Sequence, residues 1–189
     1  MSRSPVVLRC ADPADAPRLR ELWADVLRRA DAEEQAADLV RTIERVAKDP
    51  DERLVVAEVD GEICGAVLLK ATELSPINSE PLVQIVSPHV FPEFRHRGAG
   101  RALMEAAATF AEERGIHLVG AASLSGSRDA NRFMARLGLA PQAVLRVAAT
   151  HQLRARLTPS VSRQGRQLGQ LLAARRSMRR SQSVAASES

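Results

Sequence analysis

The chain has 189 residues and a formal net charge of +4, a length that suits one folded domain with its own core and excludes a multidomain machine. The positive charge is concentrated at the C-terminal end, because residues 151–189 hold 8 arginines against Glu188 alone, whereas residues 1–150 hold fewer basic than acidic residues. We therefore expect a domain over residues 1–158 and a basic, disordered tail over residues 159–189.

Cysteine and histidine usage argues against a metal site. Cys10 and Cys64 have no metal-ligand spacing, and the histidines are scattered singly. No segment approaches the ~20 apolar residues that cross a bilayer, and residues 1–5 lead into a short strand without the apolar core of a signal peptide. We expect a cytoplasmic protein in a reducing compartment that does not span a membrane.

The N-terminal quarter of the chain is predicted to contain one short strand and two helices. Residues 6–9 form an apolar strand pattern, and Asp12-Pro13 is typical of a helix start. Apolar residues then recur every three or four positions over residues 19–27 and again over residues 32–48. This spacing predicts two amphipathic helices.

A β-hairpin is predicted next. Two apolar runs, residues 54–59 and 63–69, flank Asp60-Gly61, a pair that suits a tight type I′ turn. Residues 73–81 contain two prolines and an asparagine, and we expect them to form a loop. The apolar run at residues 82–87 then predicts the fourth strand.

The end of that strand carries Pro88 and, shortly after it, Pro92. Each proline removes a backbone donor. We therefore expect the strand to bend or bulge as it approaches the segment that follows.

That segment is a basic glycine loop, residues 95–101, which leads into a helix with an apolar face. Gly98 and Gly100 have no Cβ, so backbone N–H groups there can approach an anion closely. The first turn of the helix adds unpartnered N–H groups and partial positive charge, and three arginines surround the site. The pattern predicts a pyrophosphate site. It lacks the third glycine of a dinucleotide fingerprint and the Lys-Ser or Lys-Thr pair of a P-loop.

The spacing Arg95-x-x-Gly98-x-Gly100 resembles the acyl-CoA-binding signature of the GNAT superfamily of N-acetyltransferases, Arg/Gln-x-x-Gly-x-Gly/Ala. The resemblance extends in order over most of the chain before the tail. It implies an α/β fold in which a mixed, mostly antiparallel sheet is splayed at its fourth and fifth strands and flanked by helices. It also implies acetyl-CoA as co-substrate, attacked directly in a ternary complex by a primary amine of a small molecule or protein.

The same resemblance implies the cofactor contacts. Backbone groups of Val90 and Phe91 would pair with pantetheine like an added strand, and amides of residues 97–101 would hold the pyrophosphate. Residues 32–48 would border the acceptor pocket. The expected cofactor-binding residues are Val90, Phe91, Arg95, His96, Arg97, Gly98, Ala99, Gly100, Arg101, Ser127 and Met134.

Beyond the loop, the pattern predicts a helix that ends at Gly115, a strand over residues 117–122, a helix over residues 130–139 and a final strand around residues 145–153. The segment 130–139 resembles the closing helix of the family, Asn-x-x-Ala-x-x-Phe-Tyr-x-x-x-Gly-Phe.

Two positions depart from that closing pattern: Ser127 stands where asparagine is usual, and Met134 stands where tyrosine is common. In many family members the tyrosine protonates the departing CoA thiolate, yet this chain has no tyrosine. In one interpretation, Met134 only packs against the acyl or pantetheine arm while water or another group supplies the proton. In the other, efficient catalysis is lost, because a thioether cannot donate a proton.

The reaction also needs a base, since an alkylamine with a pKa near ~10 is mostly ammonium at neutral pH. His89 is the first candidate, because imidazole titrates near neutrality and His89 lies beside the expected bend. Glu80 is the carboxylate alternative and would act through a water chain. Gln84, near the position where some family members carry a catalytic glutamate, is an amide and cannot act as a base.

Two other classes of function stay open. A catalytically weak CoA-binding sensor is favoured by the missing tyrosine and by the absence of an obvious carboxylate base. A protein anchored by its tail is favoured by the arginines there, and its anionic partner would be RNA, DNA, a ribosome or a membrane surface. No aromatic residue follows Phe133, so such contact would be electrostatic. A homodimer through exposed strand edges would be ordinary for the family.

Overall fold

The computed structural model describes residues 4–122, 128–142 and 146–157. The chain divides into two compact units, Met1–Ala140 and Pro141–Ser189. Ser127 and the tail expected over residues 159–189 lie outside the described residues. The domain boundary expected at residue 158 therefore stays a prediction.

The first unit is built on a five-stranded mixed sheet in the order β1-β2-β3-β4-β5. Neighbouring strands run antiparallel, except that β4 and β5 are parallel. The strands are β1 (Val7–Cys10), β2 (Glu52–Val59), β3 (Glu62–Ser75), β4 (Asn78–Val90) and β5 (Leu118–Ala121).

Helices cover both faces of this sheet, and each face buries its own apolar cluster. Successive strand residues point to opposite faces, so Val56 of β2 packs with the first two helices while its neighbour Val55 packs with the third. The architecture is the expected mixed α/β fold. The helices of this unit are α1 (Ala16–Leu22), α2 (Ala32–Val46), α3 (Ala99–Glu112) and α4 (Arg128–Arg136).

The α1–α2 loop, residues 23–31, begins earlier than the sequence pattern predicts. The apolar repeat indicates a helix over residues 19–27, but α1 ends at Leu22 and Trp23 already leaves the helical conformation. Val26 is 41% exposed, so the end of the repeat does not gain the burial that would extend the helix. α2 starts where the Asp31 carboxylate accepts a 2.8 Å hydrogen bond from the Glu34 backbone N–H, as a capping residue does.

The turn between β2 and β3 confirms the predicted hairpin. Asp60 has a φ of 54° and Gly61 a φ of 80°. A type I′ turn requires positive φ at both central positions, and Asp-Gly is one of the few pairs that tolerate it.

The prediction of a loop over residues 73–81 is wrong, because strand pairing continues through most of this segment. Glu73 lies opposite Pro81 and Ser75 opposite Asn78, so only two residues turn the chain between β3 and β4. Pro81 is tolerated because β5 pairs with β4 only from Leu82 onward. A missing N–H on that open side of β4 therefore removes no ladder hydrogen bond.

The described part of the second unit contains α5, Thr150–Leu157, and all of its residues are exposed. The final strand expected around residues 145–153 is therefore wrong at residues 150–153. The segment is rich in Arg, Gln, Leu and Ala, which form helices readily when no neighbouring strand fixes an extended conformation. Across the described ranges of both units, no helix is long and apolar enough to cross a membrane.

Candidate active site

β4 extends past β5 at the end that leads to the glycine loop. The parallel pairing runs from Leu82 opposite Leu118 to Ile85 opposite Ala121. β4 then continues to Val90 with β3 still paired along its other side. Among the described residues, no strand covers the second edge of β4 beyond Ile85. The described part of β5 thus leaves the last residues of β4 unpaired on this side, the arrangement that a splay between the fourth and fifth strands would give.

A β-bulge interrupts β4 just before its end. Ser87 and Pro88 together stand opposite the single β3 residue Val67. Ser87 has a φ of 47°, a left-handed conformation that non-glycine residues rarely adopt. The expected bend or bulge is therefore confirmed, and it lies at the proline that predicted it.

The bulge determines which face of the sheet His89 occupies. Val83 and Ile85 belong to the cluster under α3, and strict alternation would add His89 to that face. The extra residue shifts the alternation by one position. His89 therefore pairs with Ala66, which belongs to the cluster under α1 and α2, while Val90 packs against the α3 side.

Both ring nitrogens of His89 have partners. Nδ1 lies 3.1 Å from the Ser87 carbonyl oxygen, and Nε2 lies 3.3 Å from Asp25 Oδ1 in the α1–α2 loop. The indole Nε1 of Trp23 donates a 2.9 Å hydrogen bond to the same Ser87 carbonyl. The side chain of His89 is 28% exposed, so the ring is held between the bulge and the α1–α2 loop and stays partly open to solvent.

Glu80, the alternative base, lies at the other end of β4. Its side chain is exposed, and its backbone N–H donates a 3.1 Å hydrogen bond to Asn78 Oδ1 beside the β3–β4 turn. At the strand rise of ~3.3 Å per residue, about 30 Å of β4 separates it from Val90. The structure does not bring Glu80 together with His89 or the glycine loop.

The glycine loop presents a row of backbone N–H groups. Gly98 has a φ of 97° and stands at the N-cap of α3. The first hydrogen bond of the helix runs from the Ala102 N–H to the Gly98 carbonyl, at 3.0 Å. Within the described residues, the N–H groups of residues 97–101 have no acceptor. These donors and the positive end of α3 form an anion site.

The basic side chains of the loop surround this site without burying it. Arg95, His96, Arg97 and Arg101 are all exposed. The Arg97 guanidinium lies 5.6 Å from the centre of the Phe94 ring, and Phe94 itself is buried in the core beneath the loop. Phe94 therefore anchors the loop to the domain, while the charges stay available to a ligand.

Phe91 connects β4 to this loop. Its backbone N–H donates a 2.9 Å hydrogen bond to the Cys64 carbonyl of β3. The Arg18 guanidinium of α1 stacks over its ring at 3.8 Å, and the same guanidinium pairs with Glu62 at 2.8 Å. Phe91 thus fixes the direction in which the chain leaves the sheet.

Apolar side chains of α4 pack near the start of α3. A Cβ placed on Gly100 would lie 3.6 Å from the ring of Phe133, an ordinary contact distance, so the Phe133 ring packs beside the start of α3. Met134 is 8% exposed and belongs to the cluster under α3. Met134 is therefore a core residue in this structure, and Ser127, which precedes α4, lies outside the described residues.

A cavity of about 670 Å³ lies on the α3 side of the sheet, the face opposite His89. It combines apolar walls from β4, β5 and α3 with three charged side chains, Arg101 and Glu105 of α3 and Arg136 at the end of α4. It lies between α3 and α4.

Sequence reasoning missed three residues of this region. Trp23 lies in the apolar repeat over residues 19–27 and is buried, but that repeat does not indicate its hydrogen bond to the bulge. Asp25 carried no local signal. Gly65 did carry one, because a glycine inside a strand pattern indicates close backbone approach. A Cβ at Gly65 would lie 2.7 Å from the His89 carbonyl oxygen.

The described residues contain no candidate metal site. Over residues 4–122, 128–142 and 146–157, no three His, Cys, Asp or Glu side chains are grouped so that they could hold a metal ion. The free thiol of Cys64 is buried, and burial raises its pKa. It is therefore a poor nucleophile.

Comparisons with known proteins agree with this geometry. A model of the Acetyltransferase (GNAT) family matches residues 16–139, while no curated protein matches the chain. A transcriptional regulator from Bacillus halodurans C-125 shares 26% identity with a TM-score of 0.66, over 77% of this chain and 100% of that one.

Two further solved structures share the fold. An aminoglycoside N-acetyltransferase, AAC(6')-Iy in complex with CoA, is 17% identical with a TM-score of 0.65, over 79% of this chain and 97% of that one. A ribosomal-protein-alanine N-acetyltransferase from Brucella melitensis biovar Abortus 2308 is 21% identical with a TM-score of 0.58, over 77% and 99%.

The family model spans more than half of the chain and includes the bulge, the glycine loop and α4. The motif that it shares with this chain lies where unpartnered amides meet the start of α3. The chain therefore belongs to the GNAT family of acetyltransferases.

Proposed function

We propose that the protein is an N-acetyltransferase that transfers an acetyl group from acetyl-CoA to a primary amine by direct attack in a ternary complex. The observation that carries the proposal is the row of unpartnered N–H groups at residues 97–101, beside the open edge of β4. A pyrophosphate needs such a row of donors, and an extended pantetheine arm needs such an edge.

The residues of the loop fit this co-substrate. Gly98 has the positive φ that turns successive N–H groups toward one side, and Arg95, Arg97 and Arg101 add charge that opposes that of the phosphates. The backbone of Val90, at the end of β4, would pair with pantetheine, because the Ser87 carbonyl is already bonded to Trp23 and the Phe91 N–H to β3. Acetyl-CoA supplies the acetyl group as an activated thioester.

His89 is the proposed base. Ser87 offers only a carbonyl oxygen to Nδ1, so a neutral imidazole keeps its proton at Nδ1 and exposes a lone pair at Nε2. Nε2 can then accept a proton from an ammonium group. The amine nitrogen gives up two protons in the reaction, one to His89 and then to water, and one that ends on the CoA sulfur.

No tyrosine is present to deliver that second proton, and Met134 is buried in the core. A thiol with a pKa near ~8.5 is a fair leaving group at neutral pH, so water suffices as donor. We expect the rate to fall short of that of an enzyme with a positioned general acid, which contributes ~10²- to 10⁴-fold.

The relatives support amine acetylation without fixing the acceptor. Their names specify an aminoglycoside, a ribosomal-protein alanine and, in a structure from Arabidopsis thaliana, glucosamine-6-phosphate. Each of these compounds carries an amine. At identities of 17–21% these relatives share only the fold with this chain, so the acceptor of this protein must be found by experiment.

Calorimetric titration of acetyl-CoA and CoA into the full chain tests the proposal. We expect binding by the wild type and none by Gly98→Glu, because a carboxylate there repels the phosphates. Gly115→Glu, at another glycine with positive φ, is the control and should still bind. A folded wild-type protein that binds neither ligand would overturn the proposal.

Turnover is the second part of the test. A panel of primary amines is incubated with acetyl-CoA, and released CoA thiol is measured. The proposal predicts turnover that is lost in His89→Gln. If CoA binds but no amine reacts, the protein is the CoA-binding sensor that the missing tyrosine also favours. Assays of Met134→Tyr would then test whether a hydroxyl at that position creates acetyltransferase activity.

A further inference from the structure

Asp25 is the acidic group closest to the proposed base. It lies in the α1–α2 loop, and its Oδ1 is 3.3 Å from His89 Nε2. Its side chain is 61% exposed, and among the described residues His89 is the one partner found for it. The carboxylate therefore keeps most of its hydrogen-bonding capacity free, at the edge of the sheet face that α1 and α2 cover.

The protonation of His89 determines what this pair can do. The Ser87 carbonyl accepts at Nδ1, so the Nδ1 proton is retained. In the neutral ring, Nε2 is then an acceptor that faces a second acceptor, the Asp25 carboxylate. Two acceptors at this separation repel each other unless a donor enters between or beside them.

A primary ammonium group has the required donors, because it carries three N–H bonds and a positive charge. We propose that Asp25 is the residue that binds the acceptor: with His89 it forms the receiving site for the ammonium group, and its carboxylate selects for the positive charge. The proposal rests on the proposed function, to which it adds the residue that holds the acceptor.

Each residue has a separate task in this site. Asp25 accepts one N–H of the ammonium and holds its charge. His89 Nε2 accepts a second N–H and takes that proton, which leaves R–NH₂ with a lone pair for attack on the thioester carbon. The new N–C bond forms as the C–S bond breaks, and the second proton of the amine passes through water to the departing CoA sulfur. The imidazolium that remains is stabilised by Asp25 until it returns its proton to water.

The surroundings hold the pair in place. Trp23, two residues before Asp25, is 5% exposed and is bonded through Nε1 to the same Ser87 carbonyl that orients His89. The loop and the bulge therefore share one anchor, which fixes the spacing between carboxylate and imidazole. A loop that moved independently would lose this spacing and with it the selectivity for charge.

The first experiment measures amine binding without turnover. The full chain, saturated with CoA, is titrated with 6-amino-1-hexanol while the imidazole ¹⁵N resonances of His89 are followed by NMR. We expect the Nε2 resonance to shift with the amine and not with 1,6-hexanediol, which matches it in length and lacks the charge. Absence of any shift with the amine would overturn the proposal.

Variants of Asp25 make the second experiment. Asp25→Asn should lower the affinity for the amine by about tenfold or more, as expected for loss of a charge-assisted hydrogen bond. Asp25→Glu should restore most of that affinity. Glu112→Gln removes an equal charge from an exposed position at the end of α3, away from the α1–α2 loop, and should change nothing. In turnover assays Asp25→Asn should raise KM for the amine, whereas His89→Gln should lower kcat.

The outcomes separate the two proposals. If acetyl-CoA does not bind, the proposed acetyltransferase function itself fails. If acetyl-CoA binds and amines are acetylated, but Asp25→Asn has the KM of the wild type, the receiving site fails and the acetyltransferase stands. Because Asp25 is exposed, its variants should fold, and thermal unfolding of each variant confirms this before the kinetics are compared.

Discussion

Trp23 donates a 2.9 Å hydrogen bond from its indole Nε1 to the carbonyl oxygen of Ser87, the bulge residue of β4 whose φ is positive. The first residue after α1 is thus bonded to a carbonyl that leaves the regular ladder of the sheet. Buried polar groups need such partners, and this hydrogen bond joins the α1–α2 loop to the strand that carries His89.

Replacing this donor should loosen both elements. For Trp23→Phe we expect the free energy of unfolding to fall by about 1–3 kcal/mol, from the lost hydrogen bond and a small cavity. Chemical denaturation measures the change. Acetyl-CoA affinity should be nearly unchanged, because the glycine loop is anchored separately by Phe94. A variant as stable as the wild type would mean that the hydrogen bond contributes nothing.

Gly98 is predicted to matter for ligand binding beyond its effect on stability. Gly98→Ala and Gly115→Ala both place a Cβ on a residue with positive φ, at 97° and 64°, and neither Cβ would meet a neighbouring atom. Each should cost about 1–2 kcal/mol of stability. Only Gly98→Ala should weaken CoA in calorimetry, because only its loop carries the unpartnered amides. Equal CoA affinity in both variants would contradict this assignment.

Gly65 is predicted to be required for the close approach of β3 to the bulge. In Gly65→Ala the new Cβ would meet the His89 carbonyl at 2.7 Å, a backbone atom that cannot move alone. We expect the free energy of unfolding to fall by about 1–3 kcal/mol, the usual cost of overpacking. His89 should also be displaced.

Gly120→Ala is the matched control for that variant. It also adds a Cβ inside a strand, but the nearest atom is the end of the flexible Leu82 side chain, at 3.3 Å. The decrease in its free energy of unfolding, measured by denaturant titration, should be clearly smaller than that of Gly65→Ala. If the two variants are equally stable, the close contact at Gly65 is relieved at no cost.

Glu52 should make the stability of the domain sensitive to acid. Its side chain is 4% exposed and lies 3.0 Å from Lys70 Nζ, and it also pairs with Arg45. Burial would raise the pKa of this carboxyl, but the hydrogen bonds from Lys70 and Arg45 outweigh burial and hold the pKa below its ordinary value of 4.5.

The lowered pKa of Glu52 determines how the stability of the domain changes with pH. The stabilisation by Glu52 is fully present above pH 4.5 and is lost as the pH falls below it through the pKa of the folded state. Glu52→Gln should therefore be about 1–2 kcal/mol less stable at neutral pH, and its stability should fall less steeply between neutral pH and pH 3. Glu44→Gln should follow the wild type. Parallel curves for Glu52→Gln and the wild type would exclude this role.

The sequence by itself determined the features that depend on backbone freedom and short spacing. The Asp60-Gly61 turn, the bulge near Pro88 and the glycine loop at Gly98 are local, because each follows from which φ values or donors a residue type allows. These features, with the order of helices and strands, were sufficient to indicate the family and its fold.

The tertiary structure decided which residues share the site. Glu80 and His89 lie on one strand, yet only the second reaches the α1–α2 loop, and the phase shift of the bulge selects its face. Met134 is in the core because α4 packs against the α3 side. Asp25 meets His89 across a sequence gap of more than sixty residues. Such contacts depend on strand register and on the burial of distant apolar surfaces, which no short pattern in the chain specifies.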